Sequence, residues 1–175
     1  MTAAPHAHTY WTALSWAGTT AVGYPHYDRT HQLQADDAAT ELVLSSDPAF
    51  GGDPSLLNPE QLLVAAASSC QLLSFLAVAA RARLDVVGYR DRAVAVMPEG
   101  HRPMRITRID LRPHVELTDT EAARPTMERL AHLTEVAHRE CFIANSLATE
   151  VVVTPTFAWV DNAPAGPGEG APITT

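Results

Sequence analysis

Residues 58–80 read NPEQLLVAAASSCQLLSFLAVAA, and their pattern decides the fold. Asn58 suits a helix N-cap, Pro59 suits the first helical position, and Gln61 stands three residues after the cap, where it can reach back. From there Leu62, Leu63, Val64, Ala66, Cys70, Leu73, Leu76 and Val78 make the segment apolar on nearly every side. A helix without a polar face is a central helix, enclosed by other elements. It leaves through Arg81 and Arg83, cations that suit the negative end of a helix dipole. No charge falls between positions 61 and 80, yet Gln61, Ser68, Ser69, Gln71 and Ser74 make it a poor membrane span. One sheet cannot cover such a helix on all sides. A second copy of the chain could cover the rest, which predicts an obligate homodimer with Cys70 near the interface.

Outward from this helix the signals alternate. Residues 9–16 (TYWTALSW), 31–35 (HQLQA) and 41–44 (ELVL) read as short strands, followed by a Pro/Gly/Asp/Ser loop. Residues 86–97 read as a strand with Gly88 as a possible bulge, and Pro98, Glu99 and Gly100 as a turn. Residues 106–117 alternate apolar and polar, with Pro113 marking an edge or bulge. A second helix is predicted over 125–139, with Cys141 just past its end. Asn145 and Ser146 open a short turn, and 150–159 reads as a closing strand. This order makes an α+β fold with a mainly antiparallel sheet around a long central helix. Residues 1–160 read as one domain and 161–175 as a flexible Pro/Gly-rich tail.

The composition narrows the function. The chain has 175 residues, 46% hydrophobic and 18% charged, with a formal net charge of −8. An acidic surface disfavours nucleic acid and anionic membranes as partners. All 12 basic residues are arginine. Schiff-base chemistry and the phosphate-gripping lysine of nucleotide loops are therefore absent, and arginine must supply any fixed positive charge. The N-terminus has no basic start followed by an apolar run, so a cytoplasmic, reducing location is expected. There a cysteine pair is more often catalytic or metal-binding than a permanent staple.

Cys70 stands mid-helix in SSCQLLS, and Cys141 in HRECFIANS. Each alone could be a small buried apolar residue. Together they gain weight from Arg29, in the aromatic segment GYPHYDRTH, and from Glu60 in the first turn of the cysteine helix. NPEQLLVAAASSC resembles the signature of the OsmC/Ohr family, in which an Asn-Pro-Glu opening leads to a peroxidatic cysteine ten residues after the Glu. CFIANS resembles that family's second-cysteine motif, with Phe142 where a proline is usual. The Arg29 segment also lacks the glycine-rich form of the organic-hydroperoxide-resistance branch, which places the chain nearer the divergent OsmC-like branch. The resemblance implies an OsmC-like fold, an intertwined homodimer, Cys70 as peroxidatic and Cys141 as resolving cysteine, and Arg29 and Glu60 as catalytic residues. It implies no bound cofactor, an organic hydroperoxide as substrate, and an external dithiol of lipoyl type as reductant.

Physical chemistry constrains such a site. A thiolate, not a thiol, attacks the O–O bond. An unperturbed cysteine is a few per cent thiolate at pH 7, so full ionisation gains at most about 30-fold, or ~2 kcal/mol. The remainder must come from aligning the peroxide and stabilising the departing oxygen, tasks a guanidinium can perform. Glu60 either orients Arg29 or merely complements the helix dipole. Ten helical residues rise about 15 Å. In a continuous helix Glu60 therefore cannot share a small site with Cys70 of its own chain, which favours Glu60 acting on the partner's cysteine. Leu62, Leu63, Leu73, Phe75 and Phe142 are candidate walls for a bulky organic peroxide. His138 and Cys141 are three apart, but two ligands make no metal site. The mid-helix setting of Cys70 and the absence of the papain-like local motif weigh against a papain-like hydrolase. The serious rival is a non-catalytic protein of the same fold that holds a hydrophobic or thiol ligand at the dimer interface.

Overall fold

A computed structural model describes residues 7–119 and 124–161. The expected tail, apart from Asp161, lies outside the described residues. The chain divides into two compact units, Met1–Leu63 and Val64–Thr175.

In the first unit, β1 (Thr12–Ser15), β2 (His31–Ala35) and β3 (Leu42–Leu44) form an antiparallel sheet in that order. Thr12 pairs with Ala35, and His31 with Leu44. After β3 the loop makes one 3-10 turn, Pro48–Phe50. Asp47 caps it by accepting the Ala49 N–H, and Gly51 closes it at φ +80°, a conformation that favours glycine. Leu44 is buried and bridges to Leu57. No residue of β1 is buried, and Tyr10, Trp11 and Leu14 are 87%, 68% and 63% exposed.

The central helix α1 spans Pro59–Arg81 without interruption. Its start is the reciprocal cap expected from the sequence. Asn58 Oδ1 accepts the Gln61 N–H at 2.8 Å, and Gln61 Oε1 accepts the Asn58 N–H at 3.0 Å.

Beyond Leu63, α1 buries one stripe of its surface: Ala67, Gln71, Phe75, Val78 and Ala79. Phe75 stacks obliquely on Tyr89 and Phe157, with ring centroids 6.2 and 6.3 Å away. The same core takes in Val115, Leu117, Leu130 and Ala137. The last two come from α2 (Met127–Arg139), which Thr126 caps by accepting the Arg129 N–H. A five-residue helix, α3 (Phe142–Ser146), follows at once. The outward stripe of α1 has no such cover among the described residues, where Leu73 is 64% exposed. Enclosure on all sides, expected from the sequence, is met within one chain on the inner stripe only.

The strands of this unit differ from expectation in one consistent way. Each of three anticipated long strands is broken in the middle. The pieces are β4 (Val86–Arg90) and β5 (Val94–Val96), β6 (Arg108–Leu111) and β7 (His114–Thr118), and β8 (Glu150–Val153) and β9 (Thr156–Val160). They sort into two sheets, β4-β7-β9 and β5-β6-β8. Pro113 and Pro155 stand at two of the breaks and offer no N–H to a ladder. Asp91 stands at the third, and its carboxylate accepts the Arg112 N–H at 2.7 Å and the Ser68 hydroxyl at 2.5 Å. The expected bulge at Gly88 is present, between Val86 and Gly88. Among the described residues four of the six strand pairings are antiparallel; β6–β8 and β7–β9 are parallel.

Candidate functional site

The four residues singled out by sequence fall into two pairs. Cys70 and Cys141 are brought together in the second unit. Arg29 and Glu60 line one cleft in the first.

Cys70 sits on α1 and is half-buried, while Cys141 is the N-cap of α3 and only 1% exposed. Both are free thiols with their side chains in hydrogen-bonding contact. The fold builds this meeting from two local events. Helix α2 ends at Arg139, and the Cys141 N–H closes back on the His138 carbonyl. Helix α3 then starts directly, so its first amides point at the sulfurs, and the Ile143 N–H donates to Cys70 Sγ at 3.5 Å. Burial, the largest influence, pushes the Cys141 thiol up to about 11. The Ala144 N–H works the other way, and the adjacent Cys70 sulfur adds to the rise. Cys70 thus faces a cavity while Cys141 stays protonated behind it. The cavity is about 480 Å³, and Leu73, Ser74, Ala77, Phe142, Arg81 and Arg139 are among its walls. Tyr89, held above the ordinary phenol range by burial and then by Asp91 and Cys141, has a buried hydroxyl without a partner among the described residues.

The Arg29 cleft is about 500 Å³, with Leu14, Trp16, Tyr24, Tyr27, Phe50 and Glu60 among its walls. The guanidinium is fixed by the chain's own backbone. It donates to the Tyr27 carbonyl at 2.9 Å and to the Tyr24 carbonyl at 2.8 Å. It also lies over the Tyr27 and Tyr24 rings, 4.0 and 4.9 Å from their centroids. Gly51 lets the loop pass close by, since a Cβ there would stand 3.2 Å from Arg29 Cζ. Arg29 and Glu60 form no ion pair among the described residues. Within this chain the guanidinium is held by two carbonyls and two aromatic faces.

Four contributors escaped the sequence reading. The Ile143 amide and the Tyr24 and Tyr27 carbonyls are backbone groups, which carry no residue-type signal. Asp91 is one acidic residue among many until the fold sets it against Ser68, two positions before Cys70. Among the described residues no cluster of three or more His, Cys, Asp or Glu side chains could hold a metal.

The family model described as "OsmC-like protein" matches residues 52–156. No curated protein matches the chain. An OsmC-like protein of unknown function from Vibrio cholerae is 30% identical, with 86% of this chain and 100% of that one covered, at a TM-score of 0.78. An organic hydroperoxide resistance protein from Elizabethkingia anophelis, 17% identical, matches over 90% of this chain and all of its own, at a TM-score of 0.65. One from Legionella pneumophila, 18% identical, matches over 86% of this chain and 97% of its own, at a TM-score of 0.61. These last two are similar in fold. With three-fifths of the sequence under one family model, and a structure alike over nearly the whole chain, the chain belongs to the OsmC-like family.

Proposed function

We propose that this protein is a thiol-dependent peroxidase that reduces organic hydroperoxides to alcohols. The observation that carries the reading is the pairing of a cavity-facing Cys70, given an amide donor by α3, with a buried Cys141 in contact with it. The Cys70 thiolate attacks the hydroperoxide, an alcohol leaves, and a sulfenic acid remains. Cys141 condenses with it, water leaves, and a disulfide forms. An external dithiol, of lipoyl type by family precedent, restores both thiols. Arg29 and Glu60 act as charged groups on the peroxide, contributed by the partner of a cytoplasmic homodimer. The ten-residue spacing along an unbroken α1, about 15 Å, supports that sharing. Apolar walls at Leu73 and Phe142 favour a bulky organic peroxide over hydrogen peroxide.

Free-thiol titration tests this. One equivalent of cumene hydroperoxide should remove two thiols per chain within seconds. Cys70→Ser should abolish the loss, and Cys141→Ser should leave a sulfenic acid trappable by dimedone. Persistence of both thiols would exclude the peroxidase. It would favour a second reading, a binding protein whose aromatic Arg29 cleft holds a hydrophobic or thiol ligand; that cleft is already about 500 Å³ in one chain.

A further inference from the structure

Arg29 lies on the connection between β1 and β2, outside both strands. Four backbone carbonyls of this connection each accept from a side chain. Two of the donors belong to Arg29 itself, on the Tyr24 and Tyr27 carbonyls. The other two come from the ends of the strands. Trp16, directly after β1, donates its indole N–H to the Asp28 carbonyl at 2.8 Å. His31, the first residue of β2, sets its ring Nδ1 2.8 Å from the Arg29 carbonyl. Both anchors are themselves seated. His31 pairs with Leu44 of β3. The Trp16 ring meets Tyr27 edge-on at 6.4 Å, and a Cβ on Gly18 would stand 2.7 Å from it. The Asp28 carbonyl belongs to the peptide before the Arg29 Cα, and the Arg29 carbonyl to the peptide after it. Trp16 and His31 therefore hold the two peptide planes that flank this one Cα.

A carbonyl oxygen only accepts, so His31 Nδ1 carries a proton and donates it. The bond fixes both the tautomer and the tilt of the ring. Holding both flanking peptides fixes φ and ψ of Arg29, and with them the direction in which its side chain sets out. The guanidinium's own bonds to Tyr24 and Tyr27 cannot do this. They tie it to the same connection and leave that connection free to swing as a unit. The bonds from Trp16 and His31 refer it to the sheet. Resting on the role on peroxide proposed above for Arg29, we infer that His31 is a positioning residue. Its Nδ1–H holds the peptide after Arg29, and so aims the guanidinium in the cleft that both residues line. The imidazole needs no contact with the peroxide for this. A catalytic charge displaced by about 1 Å can cost about 100-fold in rate.

Three substitutions isolate this bond. An asparagine amide places its NH2 near the Nδ1 position, a glutamine amide places it one methylene farther out, and alanine has no donor. Thiol loss to cumene hydroperoxide is timed for each full-length variant. His31→Ala and His31→Gln should slow it by about 10- to 100-fold, and His31→Asn should restore most of the rate. In an Arg29→Ala background, His31→Ala should add no further loss, because its effect passes through the guanidinium. If the two losses multiply, His31 acts on the substrate itself and the positioning role is overturned. A wild-type rate in His31→Ala, or no recovery in His31→Asn, overturns it as well. A spectroscopic readout needs neither variants nor activity. Long-range proton–nitrogen spectra in alkaline buffer should show Nδ1 of His31 as the protonated nitrogen and Nε2 as the bare one. The opposite tautomer removes the bond and the role with it. If the unaltered protein loses no thiols to the peroxide, the peroxidase reading falls and takes this role along. If thiols are lost and only the His31 results fail, the positioning role alone falls.

Discussion

At the scale of single residues, the two cysteines are set apart by their surroundings. Cys70 opens on a cavity and receives an amide hydrogen; Cys141 is shut away with its thiol pushed up to about 11. At pH 8.5 an ordinary cysteine is about half thiolate, whereas Cys141 would be well under 1%. Iodoacetamide at that pH should label Cys141 at least about 100-fold more slowly in the folded chain than in urea, as peptide mass mapping would read. The same shift has a sign for stability. The folded chain keeps the Cys141 proton that the unfolded chain loses above about 8.5. Cys141 therefore withdraws stability as pH rises from there toward 11, and is neutral to stability below that window. Arg29 is the opposite kind of residue, a permanent charge whose direction is set by two carbonyls and two rings.

At the scale of elements, Asp91 joins two structures that the sequence leaves unrelated. One of its oxygens receives the Arg112 amide at a strand break, and the other receives the Ser68 hydroxyl on α1. Asp91→Ala should lower stability by about 1–3 kcal/mol, read as a reduced urea midpoint, because it strands a backbone N–H and a hydroxyl together. Asp91→Asn, which keeps one carbonyl oxygen for the Arg112 N–H and offers its NH2 to the Ser68 hydroxyl as acceptor, should recover part of the loss. Elements governed by local rules were legible in the sequence. Asn58, Pro59 and Gln61 announced the start of α1, and the second helix ends at Arg139 as its pattern predicted. The broken strands were not legible, although Pro113 and Pro155 were in plain view. A single proline is equally consistent with an edge, a bulge or a break. What chooses between them is the partner strand and a distant carboxylate such as Asp91, and neither leaves a mark on local periodicity. The candidate site divided likewise. Residue types picked out Cys70, Cys141, Arg29 and Glu60, but not the backbone groups that orient Cys70 and Arg29.

At the scale of the whole molecule, the proposed homodimer makes a directional prediction. Mixed dimers carrying Glu60→Ala on one chain and Cys70→Ser on the other keep one competent site if Glu60 serves its partner's cysteine. They keep none if it serves its own. About half the wild-type turnover in purified mixed dimers is the expected outcome, and complete loss would place Glu60 and Cys70 of one chain in the same site. The bare apolar surfaces described above bear on this scale too. Tyr10 and Trp11 just before β1, Leu14 on it, and Leu73 on α1 stand open to water. If a twin chain shelters them, folding and association become one reaction, and dilution acts as a mild denaturant. Each tenfold rise in protein concentration should then lift the melting temperature by about 2–4 °C, whereas a self-sufficient monomer would melt at one temperature throughout.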